Sequence, residues 1–332
     1  MKTRIALWPQ LGSIPLLMLV LVLAVLLGRS LAAPTLYVEN SVGQSVWALD
    51  AASGKILATI PLPGSPDGLA LCPDQGRLYV AGGDAGTISV IELGSNKILR
   101  TVKVGGAALG LVMSPDCSRL YTAGGGSNTV IAVDTNNLLT QEVAVGQDPQ
   151  AVALGPEGRW LISLNYASKD LSVLNAQNLH LEQTLAVGNG PHSWSLSPDG
   201  RWLAVGAIDS HEVLLLDTQT LQVVSTYTSD AAPEGLAFRT NTELWISSLA
   251  SNYVEVLHLM GQDQQQMVMP RRYTARIQTG PGPFGITFSK DGRWAYVSNM
   301  IEGSVVKIDT QSRQVVARFV VGGEPHRLVL VE

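Results

Sequence analysis

The sequence predicts an all-β fold, a closed seven-bladed propeller of four-stranded antiparallel blades, and three observations carry that expectation. An element reading Leu36-Tyr37-Val38 recurs at Leu78, Leu120, Leu161, Leu203, Leu244 and Ala295, seven copies spaced by about 42 residues. Each interval holds four short strand patterns and no helical periodicity, which is the content of one blade. The chain also starts and stops at different points of the same repeat, so its two ends must complete a unit together.

Within a unit the first piece is the Leu-Tyr-Val strand. The second alternates, as in Thr87-Ile88-Ser89-Val90-Ile91-Glu92, the period of a strand with two unlike faces. The third, for example Gln314-Val315-Val316-Ala317-Arg318-Phe319, runs into Val-Gly, and the fourth follows a Pro or Ala, as in Pro233-Glu234-Gly235-Leu236-Ala237-Phe238. That strand closes in turns such as Ser197-Pro198-Asp199-Gly200 or Ser289-Lys290-Asp291-Gly292, where the acid bonds the local backbone and glycine takes a positive φ. The same structural role is expected of Asp50, Glu92, Asp134, Asp217 and Asp309, which end their second strands ahead of a hairpin.

These units resemble the YVTN-repeat propeller family, whose pattern is a Pro-x-Gly strand, a Ser-Pro-Asp-Gly turn, a Leu-Tyr-Val-x-Asn strand and a Val-Ile-Asp strand. The resemblance covers essentially all of Thr35 to Glu332. Asn40, Asn165 and Asn299 keep the motif's asparagine, whereas Gly82, Gly124, Ala207 and Ser248 replace it. The final run Pro325 to Val331 is the innermost strand of a blade whose other three strands lie between residues 35 and about 62, so the ring closes by sharing that blade between the termini. The unit from Leu244 to Arg293 is longer than the rest. Its extra residues include Gly261 to Gln266 and Arg271-Arg272, expected as a solvated excursion between the second and third strands.

Residues 1–32 form a separate segment, a signal peptide or an uncleaved signal-anchor: Lys2 and Arg4 precede an apolar run from Ile14 to Gly28, and Ser30-Leu31-Ala32 supplies small residues at a cleavage site. Residues 33–332 are then one exported domain, periplasmic or extracellular, with any membrane contact made through the N-terminal anchor. Losing Lys2, Arg4 and Arg29 leaves 19 basic against 27 acidic residues, a net charge of −8, and so acidic a surface disfavours nucleic acid as a partner. Cys72 and Cys117, the only cysteines, are open to pairing or to remaining thiols.

No phosphate loop, Cys-x-x-Cys pair, His-Glu-x-x-His or Gly-x-Ser-x-Gly elbow occurs, so no catalytic residue and no metal ligand is assigned and the cofactor stays unknown. The ring symmetry nominates a site instead. Asp67, Leu109, Gln150, His192, Glu234, Phe284 and His326 occupy one position at the head of the seven innermost strands, around one mouth of the channel, which also receives the strand ends Asn40, Asn165 and Asn299. His192, His326, Glu234 and Asp67 are expected to ring a small polar pocket, with Gln150, Phe284 and the three asparagines completing its wall. His192 precedes Glu234 in blade order and His326 precedes Asp67 through closure, so each imidazole is expected to pair with a neighbouring carboxylate. Such pairs would favour protonated histidine. A non-catalytic scaffold for a small polar ligand or a protein partner is the leading expectation. The alternatives are a propeller enzyme, since related propellers include lactonases and cofactor-dependent dehydrogenases and Ala48 to Lys55 resembles one quinoprotein repeat, and a metal-binding protein.

Overall fold

A computed structural model describes residues 33–261 and 267–332; the N-terminal signal or anchor and the stretch 262–266 lie outside the described residues. Seven four-stranded antiparallel sheets form the ring. Six span residues 69–103, 107–144, 149–186, 191–228, 235–278 and 283–320. The seventh joins Pro325–Val331 to Thr35–Asn40, Ser45–Asp50 and Ile56–Pro61, in that order from the axis outward. Closure follows the expected register, with Thr35 opposite Val331, Leu36 opposite Leu330 and Val38 opposite Leu328.

The apolar residues group into seven clusters, one at each blade–blade interface. Period two explains how one strand serves two interfaces. Leu78 and Val80 point into one cluster and Tyr79 and Ala81 into the next, because successive side chains leave opposite faces of a strand. The second strands are therefore covered on both faces, and even Ser89 is buried. Solvent-facing alternation survives only in the outermost strands, such as Gln314–Val320.

The turn acids do what their positions imply. Asp199 accepts hydrogen bonds from the Ser197 hydroxyl at 2.6 Å and the Arg201 amide at 3.0 Å. Asp309 accepts from the Gln311 and Ser312 amides at 3.1 and 2.9 Å. Asp116, ringed by the Ser114 hydroxyl and then by the Ser118 amide and hydroxyl, has its pKa pulled down to about 2. In the long blade's excursion Gly261, Arg271 and Arg272 are exposed as expected, but the described residues between them also anchor the loop. Met267 and Met269 are buried with Trp202 and Tyr227 of the preceding blade, and the Met269 amide donates to Ser225 Oγ at 2.9 Å.

The repeat tyrosine stitches neighbouring blades. Tyr121 Oη donates to the Ala176 carbonyl at 2.8 Å, Tyr296 to Ala51 at 2.9 Å and Tyr37 to Leu93 at 3.2 Å. Tyr79 Oη is buried without a partner, and across that same interface Cys72 is joined to Cys117 in a disulfide, with Cα atoms 5.9 Å apart. The bridge closes a loop of 45 residues, which in the chain-entropy account stabilises by about 4 kcal/mol. Reduction, or Cys72→Ala with Cys117→Ala, is expected to lower the melting temperature by several degrees in a thermal scan; an unchanged value would mean that this interface holds with neither the bridge nor a tyrosine hydrogen bond.

Candidate functional site

The innermost strands run from the mouth down the channel, and three successive positions on them, the lowest an apolar layer that includes Trp194 and Leu328, build a cavity of about 210 Å³. The upper position is the one already singled out in sequence, and from it His192, Glu234 and Phe284 reach the cavity. The position below it reads Gly68, Gly110, Ala151, Ser193, Gly235, Gly285 and Arg327. Six small residues let neighbouring backbones close on one another: a Cβ on Gly235 would lie 2.0 Å from the Phe284 carbonyl oxygen. The seventh sends a guanidinium into the space that the others leave open.

Three acid–base pairs stand at this mouth, and of their members His192, Glu234 and Arg327 line the cavity while His326, Asp67 and Glu39 lie outside its lining. His192 Nδ1 faces Glu234 Oε2 at 3.6 Å, with both side chains less than one fifth exposed. His326 Nδ1 faces Glu39 Oε2 at 3.5 Å, and Glu39 is fully buried. Arg327 Nη1 bonds Asp67 Oδ1. The pairing of His192 with Glu234 is the expected one. That of His326 with Asp67 is corrected, because Arg327 takes Asp67 and the buried Glu39 faces the imidazole instead. Glu39 is held by the Gly68 amide at 2.6 Å and the Arg327 amide at 3.2 Å. Phe284 stacks on His326 with centroids 3.8 Å apart and planes 22° from parallel.

Protonation is corrected as well. Burial, followed by the positive charge of Arg327, lowers the pKa of His192 to about 4, so its imidazole is neutral at ordinary pH. Burial likewise raises the pKa of Glu234, against the pull of His326 and Arg327. Desolvation outweighs the pairing because it penalises every charged form in the site.

The remaining nominees serve the hairpins and lie outside the cavity lining. Asn40 Nδ2 donates to Ser45 Oγ at 3.1 Å, and its Oδ1 accepts from the Gly43 amide at 3.2 Å. Asn165 Nδ2 donates to Asp170 and Ser172 at 2.6 and 2.9 Å. Asn299 Nδ2 donates to the Thr279 carbonyl at 3.0 Å and Ser304 Oγ at 3.1 Å. Gln150 Nε2 turns to Asp148 Oδ1 at 2.8 Å.

A family model for lactonases with a seven-bladed β-propeller matches residues 83–314, more than half of the sequence. The chain belongs to this lactonase family. Comparison with curated proteins found no match. Among solved structures, Kuenenia stuttgartiensis hydrazine synthase is similar at 22% identity, with 83% of this chain and 92% of that one covered and a TM-score of 0.72. The dihydro-heme d1 dehydrogenase NirN, solved in complex with DHE, is similar at 19% identity and a TM-score of 0.66; 87% of this chain is covered, but only 64% of that one. A Bacteroides fragilis protein described as a candidate 6-phosphogluconolactonase is similar at 13% identity, with 92% and 99% covered and a TM-score of 0.75. At such identities the structures establish the shared fold alone.

Two residues of this lactonase-family propeller escaped the sequence reading. Arg327 was detectable as the one charged residue in a ring of Gly, Ala and Ser. Glu39 was detectable in the same way, since its equivalents are Ala81, Ala123, Leu164, Gly206, Ser247 and Ser298.

Proposed function

We propose that this protein is an exported hydrolase that opens small polar lactones at the channel mouth, on a propeller of YVTN-like repeats. The observation that carries the reading is a neutral imidazole, His192, turned on a carboxylate and lining a cavity that also holds a guanidinium. Membership of the lactonase family favours it over a non-catalytic scaffold, and among the described residues no cluster of three metal-ligating side chains supports the metal-binding alternative. A disulfide suits an oxidising compartment, in keeping with export.

The chemistry follows from the geometry. With Nδ1 turned toward Glu234, the other ring nitrogen of His192 is left for a water in the cavity and takes its proton as the oxygen attacks the lactone carbonyl. Glu234 then supplies the acceptor that the new imidazolium requires. Arg327 opposes the negative charge that grows on the carbonyl oxygen. Collapse of the adduct breaks the ring C–O bond and yields a hydroxy acid.

The test is hydrolysis of δ-valerolactone, dihydrocoumarin and an aldonolactone by the purified protein, followed by acid release. Turnover of at least one above the spontaneous rate is expected, and none for all three would overturn the reading. The base works in its neutral form, so its activity is lost as pH falls through the pKa of His192. The acid limb of the rate profile is expected near pH 4, well below the ordinary histidine range; a limb near 6.5 would point to an exposed imidazole elsewhere.

A further inference from the structure

The mouth holds two imidazole–carboxylate pairs, and the hydrolysis described above uses one. His192 and His326 occupy the same ring position three blades apart in a ring of seven, nearly opposite one another across the channel. In both, Nδ1 is buried, lacks a hydrogen-bond partner and faces a carboxylate at 3.5 to 3.6 Å. The second pair is the more firmly built. Phe284 stacked on the ring sets its plane, and backbone amides of Gly68 and Arg327 hold both oxygens of Glu39.

Glu39 is a costly way to achieve what a hydroxyl achieves elsewhere. At the equivalent position Ser298 Oγ bonds the His326 carbonyl and accepts from the Gly285 amide at 2.8 Å, and Ser247 Oγ bonds the Phe284 carbonyl. Stitching one blade to the next thus needs only serine, while a fully buried carboxylate carries a desolvation penalty of several kcal/mol by order of magnitude. What Glu39 adds over serine is a fixed negative charge beside His326 Nδ1.

We propose that His326 is a second catalytic residue of the site, the general acid that protonates the departing ring oxygen, with Glu39 as its positioning residue and counter-charge. This rests on the lactone-hydrolase reading. Water gives one proton to His192 and its oxygen bonds the carbonyl carbon. The ring C–O bond then breaks, its electron pair stays on the ring oxygen, and that oxygen takes the proton from the His326 nitrogen facing the mouth. The proton gained by His192 returns through solvent to His326, so one water is consumed, one hydroxy acid forms and both imidazoles are restored. The titratable and charged groups around His326 are Glu39 and Arg327 beside it and Glu234, Asp67 and the neutral His192 around the same mouth.

A leaving-group comparison tests the assignment. δ-Valerolactone expels an alkoxide, which needs a proton, while dihydrocoumarin expels a phenoxide, which leaves without one. His326→Phe keeps a ring on Phe284 and removes the proton. It is expected to slow the alkyl lactone by about 100-fold or more and the aryl lactone by less than about 10-fold, and Glu39→Gln should reproduce that asymmetry. Equal losses on both substrates, or none, would overturn the role of His326 while leaving the hydrolase reading intact; an inactive wild type would overturn both. If a variant does not fold, the wild-type rate across aryl and alkyl lactones decides: a shallow dependence on leaving-group pKa supports an enzymic acid, and a steep one overturns it.

Discussion

Deletion of Arg327 to Glu332 is expected to abolish the folded propeller rather than merely weaken it. The segment supplies most of the strand pairing with Thr35–Asn40 that closes the ring. Without it Leu36 and Val38 lose Leu328 from their shared cluster, at about the 2–5 kcal/mol of a large core truncation. Glu39 stays buried but loses the Arg327 amide and the nearby guanidinium, and a buried charge stripped of its partner costs a further 3–5 kcal/mol or so. Together these approach the whole stability of an ordinary domain, roughly 5–15 kcal/mol, before the lost ladder bonds are considered. Two strand edges also open and invite association. The measurement is a thermal melt by circular dichroism with size-exclusion chromatography; a soluble monomer with an unchanged melting temperature would show that closure is dispensable.

His192→Ala is expected to lower kcat/KM for lactones by about 10²- to 10⁴-fold, the usual worth of a general base, with little change in melting temperature. The two effects separate because His192 lines a cavity and its Nδ1 makes no hydrogen bond in the folded protein, so truncation breaks no network. Unlike His326→Phe, it should slow alkyl and aryl lactones alike, since water must be activated in both cases. Comparison of the two substrates by initial rates checks this, and full activity in the variant would place the base elsewhere.

Much of the candidate site could be read from ring symmetry. Seven copies of one strand position must surround the axis, so His192, Glu234, Phe284 and His326 were bound to meet near one mouth whatever their contacts. The asparagines' bonding was not legible, because a strand end at the mouth can turn either inward or back onto its own hairpin. A neighbouring Ser45, Ser172 or Ser304 hydroxyl offers the second choice at close range. The His326 partner was misassigned because blade order ranks only neighbours at one level, whereas Glu39 approaches from the adjoining strand of the same blade.

Repeat number, blade content and the sharing of one blade between the termini follow from local pattern, because period-two strands and Pro-Asp-Gly turns are short-range properties repeated in register. Charge states, the Cys72–Cys117 bridge and the choice of acid for each base do not. They depend on how far each side chain is withdrawn from water and which atoms from distant parts of the chain share its space. Desolvation of His192 outweighs the carboxylate beside it only because the blades close tightly around the mouth, and that closeness is set by glycines whose backbones meet across blades.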